Sequence, residues 1–160
     1  MAQDIFLKIN GIDGESMDSA HKNEIEVLSW DWQILQDSNM HTGSGGGSGK
    51  ATVRDLNFLH FVDRSSPNLM KFCLTGKHIP EAKLVVRKAG GSPLEYLKIT
   101  MTDVVITNVQ PVGNSSEERI QEKVSLSFAK VKQEYTVQNQ QGGSGGAVTA
   151  GFDIKLNKEA

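Results

Sequence analysis

Leu94-Glu95-Tyr96-Leu97-Lys98-Ile99-Thr100-Met101-Thr102-Asp103-Val104-Val105-Ile106-Thr107-Asn108-Val109 carries the pattern that decides the fold. Its apolar residues first occupy odd positions, Leu97, Ile99 and Met101, and then both faces at Val104, Val105 and Ile106. Alternation with a period of two marks a strand. A one-residue slip turns every later side chain to the opposite face, so a bulge is the simplest account of the change. The stretch from Arg119 to Val137 repeats it: an even-numbered set of Ile120, Val124, Leu126 and Phe128 gives way to Val131, Tyr135 and Val137. Long, bent strands of this kind suit a small barrel or sandwich whose strands cross from one sheet to another.

Outward from these two strands the chain stays β-rich, with 13 Val, 10 Ile and 8 Thr. Ile5, Leu7 and Ile9 alternate near the start; Leu28, Trp30, Trp32 and Ile34 share one parity; Leu84 and Val86 lie in a run from about 82 to 89; Phe152, Ile154 and Leu156 define a last strand. One helix is predicted over about 66–75. Ser66 would cap it, Pro67 suits its first turn, Leu69, Phe72 and Cys73 fall on one face, and Gly76 stops it. Its apolar stripe should cover an open end or side of the barrel. Cys73 on that stripe reads as a buried structural thiol. The expected fold class is therefore mainly β: a barrel of two packed antiparallel sheets with one short helix on its side, as a single domain over 1–160.

Two glycine–serine runs, Gly43 to Gly49 and Gly142 to Gly146, read as loops, because such composition behaves as flexible chain. Neither separates a second core. The chain has 160 residues, of which 38% are hydrophobic, with 16 glycines, which is ordinary globular composition. Its net charge of −2 lacks the basic footprint of a nucleic-acid binder. A single cysteine excludes an intrachain disulfide framework. No apolar run reaches the roughly 18 residues of a membrane helix. Met1-Ala2-Gln3-Asp4-Ile5-Phe6-Leu7-Lys8 has no basic start and no signal-length apolar stretch, so the product is expected to start in the cytoplasm.

Catalytic and ligand motifs fail on inspection. Ser44 to Ala51 imitates a phosphate loop at Gly49-Lys50, but Ser44 replaces the first glycine, Ala51 replaces the hydroxyl residue, and a strand rather than a helix follows. Gly142-Gly143-Ser144-Gly145-Gly146 matches a nucleophile elbow only in composition, since no histidine lies beyond His78. His21, His41, His60 and His78 have no metal-ligand spacing. Trp30-Asp31-Trp32 is the most informative local feature. The indoles of Trp30 and Trp32 would belong to the structural core, leaving Ser29, Asp31 and Gln33 to line whatever surface the strand presents.

Gly14-Glu15-Ser16-x-Asp18-x-x-His21 followed by Glu24-Ile25-x-Val27-Leu28-Ser29-Trp30-x-Trp32 resembles the opening of the Hcp proteins, the haemolysin-coregulated proteins of type VI secretion. Ser66-Pro67-Asn68-Leu69-Met70, Thr75-Gly76-Lys77-His78, Arg87-Lys88-Ala89-Gly90-Gly91, Glu95-Tyr96-Leu97-x-Ile99-Thr100 and Phe128-Ala129-x-Val131 continue the similarity in order along nearly the whole chain. The resemblance implies a two-sheet β-barrel, a homohexameric ring, and rings stacked into a tube driven out by a contractile sheath. It implies export without a cleaved signal and small effector proteins bound in the lumen. Sheath and tip-spike proteins would be the other partners. No catalytic residue, cofactor or metal is implied, and no membrane insertion. The chain ends soon after its last strand, so it resembles the plain tube subunit.

The physics of size is compatible with that assembly. A domain of this length has a radius of gyration of about 15 Å and cannot itself enclose a protein-sized channel. A closed ring of heterologous contacts can. Six copies at −2 each disfavour a nucleic-acid conduit. Within the resemblance, Ser29, Asp31 and Gln33 are lumen-facing candidates. Gly43, Gly45, Gly46, Gly47 and Gly49 are candidates for bridging subunits or rings, and Gly90 and Gly91 for a ring rim. Family members often carry a small neutral residue between the two tryptophans, where this chain has Asp31. The rival readings are an enzyme built on Ser144, His60 or Glu15, a monomeric β-barrel ligand-binding module, and a phage tail-tube subunit.

Overall fold

The computed structural model describes residues 2–38, 50–90, 93–141 and 143–160. In chain order the elements are β1 (Gln3–Ile9), β2 (Ile25–Glu26), β3 (Ser29–Asp31), β4 (Ile34–Leu35), β5 (Thr52–Val53), β6 (Leu56–Phe61), α1 (Ser66–Thr75), β7 (Ile79–Lys88), β8 (Glu95–Val112), β9 (Gln121–Gln138), β10 (Ser144–Asp153) and β11 (Lys158–Glu159). The main sheet runs β11-β10-β9-β8-β7-β1-β2, with β6 joined to β9 and β3 joined to β6; β4 and β5 form a second, two-stranded sheet. This is the mainly β, barrel-like architecture with one short helix that the sequence predicts.

Among the described residues the strand ladders do not close into a complete ring. The seam is crossed by the short link from β2 to β3. The Val27 amide donates to the Ile5 carbonyl on β1 at 2.9 Å, and the next amide, Leu28, donates to Leu59 on β6 at 2.8 Å. The interior is filled by the inward side chains of these strands. Leu7, Ile25, Leu56, Phe58, Leu84, Ile99, Met101, Val124 and Leu126 are all at most 1% exposed. Each such side chain contributes about 1.5–3 kcal/mol through burial. Helix α1 lies against β8 and adds Leu69 and Phe72 to this core.

Both long strands change their inward face, but an inserted residue is not the cause. Buried positions pass from Ile99 and Met101 to Val104 and Ile106 on β8, and from Phe128 to Val131 on β9. The mutual register is unchanged across this point, Thr102 facing Lys130 and Val104 facing Phe128. On β7 the buried set also switches, between Ile79 and Ala82, opposite Val104 and Met101. Three neighbouring strands thus turn together at one level, where Asp103 adopts a φ of 54°. True register shifts lie elsewhere, at Thr107 between Ile106 and Asn108, and between Val86 and Arg87.

Three other expectations need correction. The run from Leu28 to Ile34 is not one strand. β3 pairs with β6, whereas β4 pairs with β5, and the Trp32 indole N–H fixes the break by donating to the Arg54 carbonyl at 3.0 Å. The final strand is not centred on Ile154 and Leu156. It begins at Ser144, inside the glycine–serine run, because β9 supplies a continuous ladder for it and Gly146, at a φ of 113°, accommodates the register shift. The helix cap is Ser65 rather than Ser66, and its hydroxyl is engaged by Asp63 instead of capping. The stop at Gly76 holds, with a left-handed φ of 64°. Cys73 is half-buried and packs against the core from the flank of the helix stripe, facing a groove shared with Val109 and Pro111, so it is less enclosed than expected.

Candidate functional site

β9 has two different neighbours along one edge. Its residues Gln121 to Leu126 pair with β6 inside the barrel, and Lys130 to Gln138 pair with β10 outside it. β8 follows it along the other edge from Gln121 to Tyr135. The outer half therefore projects as a wing, and β10 is exposed from Ser144 to Ala150. The wing carries an unusual amount of apolar surface for a solvated sheet: Tyr135 is 47% exposed and its cross-strand partner Val148 is 67% exposed. Together with Trp32, Ile34, Val131 and Phe152 they line a groove of about 450 Å³. Beyond β11, which covers only Phe152 and Asp153, the β10 edge has no partner strand among the described residues.

On the barrel, the outward faces of β3, β6 and β9 form a polar band. Asp31 faces Asn57 across the ladder, and Asn57 faces Ser125. The Asn57 amide donates to Asp31 Oδ1 at 2.9 Å, and the Ser125 hydroxyl donates to Asn57 Oδ1 at 2.5 Å. Thr107, the extra residue of β8, donates its hydroxyl to Asp55 Oδ2 at 2.5 Å. Ser29 and Asp31 are both exposed on β3, so the structure brings these two candidates to one surface. Gln33 is also exposed, but it lies past the break, where its carbonyl accepts the Arg54 amide at 2.9 Å. Trp30 and Trp32 are half-buried and pack against the core rather than lying within it. Asn57, Ser125, Thr107 and Asp55 were not singled out from the sequence. Their signal is weak: isolated polar residues on alternating strands, joined only once β3, β6, β8 and β9 are aligned.

The ring-contact candidates fall unevenly. Gly90 occupies the turn after β7 with a φ of 120°, a conformation that favours glycine. Gly91 and the loop candidates Gly43, Gly45, Gly46, Gly47 and Gly49 lie outside the described residues. Of the residues named for an enzyme, His60 is fully buried against Glu122 at 2.9 Å, Glu15 accepts the Arg64 amide at 2.7 Å, and Ser144 opens β10 on the exposed wing.

The loop between β1 and β2 is tied back onto the barrel by charge. Arg87 on β7 donates to both carboxylate oxygens of Asp18, at 2.9 and 2.7 Å, and to Asp4 at 3.1 Å. The loop is tight as well: a Cβ on Gly14 would sit 2.5 Å from the Glu24 carbonyl oxygen. Hydrogen bonds from Arg87 hold the Asp18 carboxyl at about 2, below its ordinary 3.8, and Arg87 itself is pushed above its usual range, chiefly by Asp18. The depressed value means that Asp18 stabilises the fold fully above its ordinary value and progressively less as pH falls toward 2. Asp18→Asn is expected to flatten the loss of stability between about pH 4 and pH 2. Urea midpoints of both proteins across that range will check it; parallel acid limbs would refute the assignment.

The profile described as "Type VI secretion system effector, Hcp" matches residues 6–135 of this chain, spanning the β1–β2 loop, the polar band, α1 and the base of the wing. The chain belongs to the Hcp family. It is 46% identical to the protein hcp1 of Pseudomonas aeruginosa, with both chains covered completely. The crystal structure of Hcp1 from Salmonella typhimurium is 58% identical, covers both chains completely and superposes with a TM-score of 0.85. A type VI secretion system effector from Yersinia pestis is 42% identical, with a TM-score of 0.75 over 94% of this chain and 99% of that one. The resemblance carried by the Gly14–Trp32 and Ser66–Met70 stretches is thereby established, and Hcp membership makes this a type VI secretion protein.

Proposed function

We propose that this chain is a structural, non-enzymatic subunit of the type VI inner tube. Six copies close into a ring, rings stack, and the tube is expelled through the sheath with tip-spike proteins at its front. The observation that carries this reading is the projecting wing, whose β10 edge and apolar groove are left open among the described residues. A neighbouring subunit would cover both, since exposed sheet edges and large apolar patches are normally paired or buried. Native mass measured at micromolar concentration is the test. Six subunits of 17.5 kDa give about 105 kDa. A persistent 17.5 kDa species would instead favour a monomeric barrel that binds ligands by itself.

The polar band is the surface proposed to face small effectors in the lumen. Asp31 supplies its carboxylate, and a ring of six would repeat that charge around the channel. Asp31→Lys is expected to leave the ring mass unchanged, because the side chain is exposed and accepts a hydrogen bond from the Asn57 side-chain amide. Effector retention should change instead, with basic effectors lost and acidic ones gained. Pull-downs that recover the same effectors with both proteins would remove Asp31 from the binding surface.

A further inference from the structure

His21 is 6% exposed and stands between two carboxylates. Its Nδ1 lies 3.0 Å from Glu24 Oε1, on its own loop, and its Nε2 lies 2.5 Å from Glu95 Oε1 on β8. The ring is stacked on Phe6 of β1, with centroids 4.3 Å apart and planes 11° from parallel. A neutral imidazole has one N–H and one lone pair, and an ionised carboxylate only accepts. Both short contacts can be hydrogen bonds only when the ring carries two protons. We propose that His21 is a proton-controlled clasp, joining the β1–β2 loop to β8 when doubly protonated and loosening it when one proton leaves.

Arg64 holds the start of the loop through the Gly14 carbonyl and the Glu15 carboxylate, and two further charged ties, at Asp18 and at His21, differ in kind. The Asp18–Arg87 tie keeps both charges throughout the neutral range, given the directions in which the two groups are held. Imidazole is the ordinary side chain that changes charge between about pH 5 and pH 8. The other groups around the clasp are Lys8 of β1, Glu81 and Lys83 of β7, which share its cavity of about 270 Å³, Asp18 on the loop, and Lys98 of β8, whose Nζ is 3.6 Å from Glu95. Loss of the proton leaves a lone pair facing a carboxylate oxygen at one of the two contacts. Three backbone bonds report on the loop tip: His21 N–H to Asp18, Asn23 N–H to Ser16 and Glu24 N–H to His21.

Hydrogen exchange of the full chain at pH 5.5 and 8.5, corrected for intrinsic rates, tests the clasp. Protection of those amides should fall by about five-fold or more at the higher pH, as loss of one charge-assisted bond implies. Amides in the β1–β7 ladder should not follow. His21→Asn should give low protection at both values. Glu95→Gln should abolish the pH dependence, because an amide can accept from one form of the ring and donate to the other. Equal protection at both values in the parent, or an unchanged pH dependence in Glu95→Gln, would overturn the proposal. The readout is local to the loop and does not depend on ring assembly.

Discussion

Val148→Asp should reduce the proposed hexamer of roughly 105 kDa to 17.5 kDa subunits. Val148 sits on the exposed β10 strand opposite Tyr135, in the middle of the apolar wing groove. In the proposed ring a neighbour covers this groove. An unpaired carboxylate would then have to leave water, at a cost of several kcal/mol per interface. Six interfaces multiply the effect. The subunit itself should fold normally, because at 67% exposure the side chain supports little of the core. Native mass spectrometry reads the assembly, and far-ultraviolet circular dichroism checks the fold. An intact 105 kDa species with this substitution would place the interface elsewhere.

Phe58→Ala should produce the largest loss of stability among single core truncations. Phe58 is 1% exposed on β6, between Trp30 of β3 and Val124 of β9. Removing a buried phenyl ring costs about 3–5 kcal/mol through lost transfer energy and the cavity left behind. For a chain of this length that corresponds to a fall in Tm of roughly 6–20 °C. Parent and variant must be compared at equal concentration, since assembly also raises Tm. Phe58→Leu should recover most of the loss. A fall smaller than about 3 °C would mean that the β3–β6–β9 wall collapses around the cavity or contributes little.

Much of this fold was legible because the barrel-facing residues alternate along each strand, although Phe6, Val85 and Ser125 on the other parity are buried as well. Leu7, Ile9, Leu84, Val86, Ile99 and Leu126 point inward as their parity demands, and Pro67 with Gly76 bracket the helix through local stereochemistry alone. The misreadings share one cause, a tertiary partner that overrides local preference. Ser144, Gly145 and Gly146 have poor strand propensity, yet β9 draws them into the ladder, with Gly145 and Gly146 taking up its register shift. Trp32 looks like a continuation of β3 until its indole is captured by the Arg54 carbonyl 22 residues away. The parity changes are legible in the sequence, but their origin in three strands turning together requires knowing which strands are neighbours. The candidate surface was half-legible for the same reason. Asp31 stands out beside two tryptophans, whereas Asn57, Ser125 and Thr107 acquire meaning only across strands.

The 18-residue strands β8 and β9 pair with each other from the barrel wall into the wing, through the turn at Asp103 and past the extra residue Thr107. At about 3.3 Å per residue each is about 60 Å long. No loop lies between the two ends of this ribbon. A load applied at the wing is resisted by many backbone hydrogen bonds in parallel, and it is delivered directly to the packed interior. The ribbon is rooted directly in the packed core through Ile99, Met101, Val104, Val124 and Leu126. A stack of such parts would transmit thrust along its axis with little compliance.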